Sequence, residues 1–146
     1  MGLIYAEIEL INGLESGLAR KSQFCIDEVK KIRVSMLVDS GAYYLTINEN
    51  IQEVLQLPVV RQKRVQLADG RFEVYDVVAP VELWFENRDT VCEAIVLPGD
   101  NEPLLGAIPM EALDVIIDPK RQQMVVHPDH PDGPILKLKS AVRTNS

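Results

Sequence analysis

Apolar and polar positions alternate with period two along much of the chain, the pattern of strands that bury one face. Ile4, Ala6, Ile8 and Leu10 alternate with Tyr5, Glu7 and Glu9, and Ile32, Val34, Met36 and Val38 with Lys31, Arg33 and Ser35. Val81, Leu83 and Phe85 alternate with Glu82, Trp84 and Glu86, and the apolar run "VCEAIVLP" follows. Between the first two strands, Asn12–Gly13 reads as a turn or loop, and residues 14–27 as a loop with a strand edge. "NENIQEVLQLP" departs from alternation. Ile51, Val54 and Leu55 share a helical face, Asn48 is a candidate N-cap, Thr46 with Glu49 a rival capping box, and Pro58 the stop. "VQLADGRFEV" predicts a hairpin whose two-residue turn is Asp69–Gly70, setting Leu67 opposite Phe72 and Val65 opposite Val74. "LPGDNEP" is a loop. "PLLGAIPMEAL" reads as a short strand, a glycine and one or two helical turns opened by Pro109. "DVIIDPKRQQMVVHP" reads as two strands joined at Asp118–Pro119–Lys120. Many short strands, little helix and closely spaced turns predict an all-β sandwich or barrel.

Composition narrows this. With 146 residues, 47% of them hydrophobic, the chain suits one domain with a real core, and only 5% aromatics make that core aliphatic. A formal net charge of -7 argues against nucleic acid as a partner, because binding the phosphate backbone needs a basic face. Arg61, Lys63 and Arg64 read as a solvated strand or loop face. Two distant cysteines, Cys25 and Cys92, in neither a CxxC nor a metal-ligand spacing, suit free thiols in a reducing compartment. "MGLIYAEIEL" lacks the basic start and unbroken apolar run of a signal peptide. Ala6 stands where a myristoylation signal needs Ser or Thr. No stretch is long and apolar enough for a membrane-spanning helix. The expectation is a cytoplasmic protein with no membrane or nucleic-acid partner.

The chemistry centres on "MLVDSGAYYLTI". An apolar strand ends in Asp39, followed by Ser40, Gly41 and Ala42. A carboxylate there must be solvated, paired or employed. Gly41 permits a tight turn and lets backbone N–H groups approach the acid, and the Ser40 hydroxyl can donate a hydrogen bond to a neighbouring chain. One carboxylate catalyses little amide hydrolysis near neutral pH. Two that face each other share a proton, because like charges at close range cannot both ionise cheaply. One then acts as base on a water and the other as acid toward the substrate carbonyl. "LVDSGAYYLTINENIQEVL" and "PLLGAIPMEAL" echo each other: apolar strand, Gly-Ala, helix.

In these motifs the chain resembles the retropepsin-type aspartic proteases, in the style of their small bacterial members. "LVDSGA" at 37–42 matches the family's active-site loop. "LLGAIPMEAL" at 104–113 matches its apolar-apolar-Gly element and following helix, and the hairpin at 65–75 falls where the family has its flap. The resemblance spans about Ile32 to Val126. It implies a closed six- to seven-stranded acid-protease barrel with one or two short helices, over residues 1–130. Residues 131–146 are expected to form a polar, mobile tail. Only one Asp-Ser-Gly is present, so the resemblance implies a homodimer in which each copy gives one Asp39 to a shared site. It implies catalytic roles for Asp39, Ser40 and Gly41, with Ser40 locking the two loops across the interface. Ala42 and the flap residues Ala68, Asp69, Gly70 and Arg71 would contact an extended peptide by strand addition. Cofactor and metal are expected to be absent. The flap tip is less glycine-rich than viral flaps, and the C-terminal tail runs past the last strand.

Simpler readings accompany each motif. Asp39 and Asp69 are also turn-forming residues, and Asp118 reads as the first residue of a turn. "HPDHPD" at 127–132 groups two His and two Asp, yet its prolines favour a solvated loop over a metal site. Tyr43 and Tyr44 are expected to pack near the Asp39 loop. The alternative function is a non-catalytic dimeric peptide-binding module on the same fold. A small-ligand β-barrel with an incidental Asp39 is a weaker third.

Overall fold

The computed structural model describes residues 2–136. Seven strands form one sheet: β1 (Tyr5–Asn12), β2 (Lys31–Val38), β3 (Leu45–Asn48), β4 (Val59–Gln66), β5 (Phe72–Phe85), β6 (Arg88–Leu97) and β7 (Leu104–Leu105). Their spatial order is β1-β2-β7-β3-β6-β5-β4, and β1 also pairs with β5 through Glu9–Asn12 against Val81–Trp84. A separate two-stranded sheet joins β8 (Val115–Asp118) to β9 (Gln123–Val126). Asp118 turns the chain between them, accepting the Lys120 and Arg121 amides. The architecture is mostly β, as the alternation predicts. Ile8, Leu10, Met36, Leu45, Ile47, Leu83 and Leu105 are buried in an aliphatic core.

Three α-helices stand where one or two were expected: α1 (Gly13–Arg20), α2 (Glu49–Leu55) and α3 (Ala107–Leu113). Asn12–Gly13 is therefore a helix start rather than a turn. The Asn12 side chain caps α1 by accepting the Glu15 amide, and its own amide donates to the Leu55 carbonyl. Asn48 caps α2 through the Ile51 amide. Thr46 makes no capping box; its hydroxyl accepts the Leu104 amide instead. Helix α3 begins two residues before Pro109.

Helix α1 explains a second surprise. Glu82 lies on the nominally polar face of β5 yet is buried. It accepts hydrogen bonds from Ser16 (2.9 Å) and Arg20 (2.8 Å) of α1 and from the Trp84 indole (2.8 Å). A buried carboxylate needs such donors to offset lost hydration.

The β4–β5 hairpin forms, but in a different register. Gln66 faces Phe72, Val65 faces Glu73 and Arg64 faces Val74. Leu67 pairs with Arg71, the Gly70 amide returns to the Leu67 carbonyl, and Gly70 takes φ +89°. The loop is thus three residues, Ala68–Asp69–Gly70, rather than two. One extra residue flips the pairing by one position. Phe72 and Val74 become exposed and share a face with Arg64, whose guanidinium lies 4.1 Å from the Phe72 ring centre. Lys63, Val65 and Leu67 take the other, half-buried face.

The "HPDHPD" segment is docked rather than a free loop. Asp114, at the end of α3, accepts the His130 imidazole (2.7 Å) and the Ile135 amide (3.0 Å), and His127 stacks on His130. The Ile135 amide first, then the two imidazoles, hold the Asp114 carboxyl below its usual range. Arg88, fully buried, donates to the His130 carbonyl and lies 3.8 Å from Asp114. Of the expected tail, residues 137–146 lie outside the described residues.

Candidate active site

Strand β2 carries the chain to Asp39 between two neighbours. Leu37 and Val38 pair in parallel with Leu104 and Leu105, and the Asp39 amide donates to the Leu105 carbonyl at 3.0 Å. The chain then turns at once. The Ala42 amide returns to the Asp39 carbonyl (3.1 Å), and the Gly41 amide donates to the Asp39 carboxylate (3.0 Å). Asp39 and Ala42 are half-buried, while Ser40 and Gly41 are exposed. The four loop residues singled out in the sequence therefore form one turn.

The second motif holds this turn in place. The Ala107 amide donates to the Ala42 carbonyl (2.8 Å), and the Ile108 amide to the Tyr43 carbonyl (2.9 Å). Such contact requires a glycine at 106. A Cβ there would stand 2.5 Å from the Tyr44 carbonyl oxygen and 2.6 Å from the Tyr43 carbonyl carbon. The backbone φ of Gly106 is -88°, so the constraint is space, not conformation.

Beside Asp39 lies an apolar groove of about 370 Å³ lined by Leu3, Ile4, Leu37, Val38, Ile117 and Pro119. Among the described residues, Asp39 is its only ionisable lining group. The contributions of Leu3 and of Ile117 and Pro119 were not visible in the sequence, because only the tertiary fold brings the chain start and the β8–β9 turn to Asp39.

The hairpin residues stand apart. Ala68, Asp69, Gly70 and Arg71 are exposed, and their hydrogen bonds among the described residues stay within the hairpin. The Arg71 amide and then its guanidinium lower the Asp69 pKa. The hairpin meets the Asp39 side of the molecule at Lys63, whose ammonium lies 4.9 Å from the Tyr44 ring centre. Lys63 is half-buried rather than part of the solvated face that the sequence suggests. Its spacing of two from Val65 and four from Leu67 was the available signal that it faces inward. Among the described residues, no group of three or more His, Cys, Asp or Glu is placed to hold a metal ion.

A family model described as aspartyl protease matches residues 23–108, more than half the chain. No curated protein matches. Among solved structures, the chain is similar to the retroviral protease-like domain of Ddi1 from Leishmania major. The TM-score is 0.56 at 15% identity, over 88% of this chain and 90% of that one, a likeness of fold. The chain belongs to the aspartyl protease family and has a mostly β, retropepsin-like fold.

Proposed function

We propose that this protein is an aspartic endopeptidase that hydrolyses extended peptides as a homodimer. The observation that carries the reading is the Asp39 turn itself: a half-buried carboxylate, fixed by the Gly41 amide, opening on a groove that has no other ionisable group among the described residues. A dyad needs a second carboxylate, so a second copy must supply it across a two-fold axis. The two Asp39 carboxyls then hold one proton between them. The ionised one takes a proton from water as that water attacks the peptide carbonyl, and the protonated one donates to the carbonyl oxygen. Collapse of the tetrahedral intermediate returns a proton to the leaving amine. These steps need no metal or cofactor.

The exposed Ser40 hydroxyl suits a bond to the partner's loop, and Gly41 shapes the turn. The apolar groove suits an aliphatic or aromatic substrate side chain beside the scissile bond, and on this reading Ala42 and the hairpin tip, Ala68–Arg71, border an extended peptide once the hairpin closes. The pairing of β1 with both β2 and β5 supports a closed sheet behind the site. The free thiols, one exposed and one half-buried, suit a cytoplasmic setting.

The test is cleavage of a peptide library from pH 3 to 9 by the wild type and by Asp39→Asn, with light scattering across a concentration series. Cleavage is expected on the acid side of neutral, abolished in Asp39→Asn, and lost on dilution in step with the dimer. An active Asp39→Asn protein, or a fully active monomer, would overturn the mechanism. A dimer that binds peptides and never cuts them would make the protein a binding module.

A further inference from the structure

Strand β4 pairs with β5 alone among the described residues, so the far half of the hairpin has little to rest on. From Arg64 to Val74 only Val65 and Leu67 are even half-buried. Lys63 is the last residue of β4 before the tip with an ionic or ring contact outside the hairpin among the described residues. Its ammonium sits against the Tyr44 ring, 4.9 Å from the centre, and 3.5 Å from the Glu93 carboxylate on β6. Arg61, one turn of the pleat earlier, pairs with the same Glu93. Tyr44 is itself anchored. Its backbone lies against Gly106, and its ring meets the Tyr43 ring edge-on at 6.4 Å. One ammonium thus joins the hairpin, the segment after the Asp39 turn and β6.

We propose that Lys63 is a positioning residue, which sets the angle of the β4–β5 hairpin over the Asp39 turn by bridging the Tyr44 ring and the Glu93 carboxylate. The inference rests on the reading of Asp39 as catalytic and of the hairpin as the wall that closes on substrate. A cation on an aromatic face is directional enough to fix the approach and weak enough to be broken and remade as the hairpin opens. The carboxylate alone would hold the charge without fixing the height of the hairpin above the turn.

The experiment measures amide hydrogen exchange from Arg64 to Val74, together with kcat and KM for a cleaved peptide. The variants are Lys63→Met, Lys63→Arg, Tyr44→Leu, Tyr44→Phe and the Lys63→Met/Tyr44→Leu double. Lys63→Met and Tyr44→Leu are each expected to speed exchange by about two- to fivefold, as the loss of one partly exposed cation–π contact implies. KM should rise by a similar factor with kcat nearly unchanged. The double variant should be no worse than either single one. Lys63→Arg, whose guanidinium also stacks on aromatic faces, should restore both readouts, and Tyr44→Phe should keep wild-type exchange. Unchanged exchange in Lys63→Met, or additive effects in the double variant, would overturn the proposal. Faster, non-additive exchange in a protein that cuts no peptide would uphold the bridge and remove the protease reading.

Discussion

Gly106→Ala adds one methyl group where the protein has no room for it. The new Cβ would meet three backbone atoms, the Tyr44 oxygen at 2.5 Å, the Tyr43 carbon at 2.6 Å and the Tyr44 nitrogen at 2.7 Å, where ordinary contact begins at 3.4 Å. None of them belongs to a side chain that can rotate away. The segment must therefore retreat by most of an ångström, against the bonds from Ala107 to Ala42 and from Ile108 to Tyr43. Overpacking costs about 1–3 kcal/mol, and each weakened hydrogen bond adds about 1 kcal/mol. A loss of about 3–5 kcal/mol is expected, read as a lower urea midpoint with an unchanged slope. The retreating segment is continuous with the Asp39 turn. On the proposed mechanism, a shift of that size carried to Asp39 costs about 100-fold in rate, so peptide cleavage should fall more than stability alone explains. Gly17→Ala is the matched control. It lies within α1 and a Cβ there meets nothing within 4 Å. The same methyl group should stabilise the protein by about 0.5–1 kcal/mol through helix propensity. A urea midpoint that moves in the same direction in both variants, or a Gly106→Ala protein as stable and as active as the wild type, would refute the steric role of Gly106.

Two further predictions follow from the titrating groups. Burial raises the Glu82 pKa, but Trp84, Ser16 and Arg20 outweigh it and leave the carboxyl below its usual range. A lowered folded pKa gives stability that is present above the unfolded value and lost as pH falls through the folded one. Urea midpoints of Glu82→Gln should therefore depend less on pH than the wild type below about 4.5, and an unchanged acid limb would refute the assignment. Burial pushes the Cys92 thiol up to about 12, whereas Cys25 is exposed. Iodoacetamide at pH 8 should label Cys25 alone in the folded protein and both cysteines in urea, as read by mass spectrometry; equal labelling of the folded protein would contradict the packing.

The strands with one clean apolar face were legible because burial writes period two directly into the sequence. Ile8, Leu10, Met36, Val81 and Leu83 are all core residues. The Asp39 turn and the Leu-Leu-Gly element were legible for a different reason. Each needs a particular residue type at a particular place, and Gly106 has a steric cause that any other residue would violate. Helix α1 was not legible. Its eight residues carry two glycines and a weak apolar stripe, and its hold on the sheet runs through Asn12 and the buried Glu82, polar contacts that leave no period. The hairpin register failed on one residue. Asp-Gly suits a two-residue turn, but it serves equally as the end of a three-residue loop when glycine takes positive φ. The groove beside Asp39 draws on the chain start, β2 and the β8–β9 turn, and no local pattern encodes that meeting.

Strand β4 has a second consequence, for solubility. With β5 as its one neighbour among the described residues, its outer edge offers unpaired N–H and C=O groups to any passing chain, and Val59 and Val60 are exposed at its start. Such an edge is a template for intermolecular pairing, and charges along it are a common defence. Arg61, Lys63 and Arg64 supply three in four residues, the first two partly offset by Glu93 and Arg64 with no carboxylate against it among the described residues. An uncharged β4 would retain the hairpin's own pairing and lose the repulsion that keeps two molecules from zipping together edge to edge.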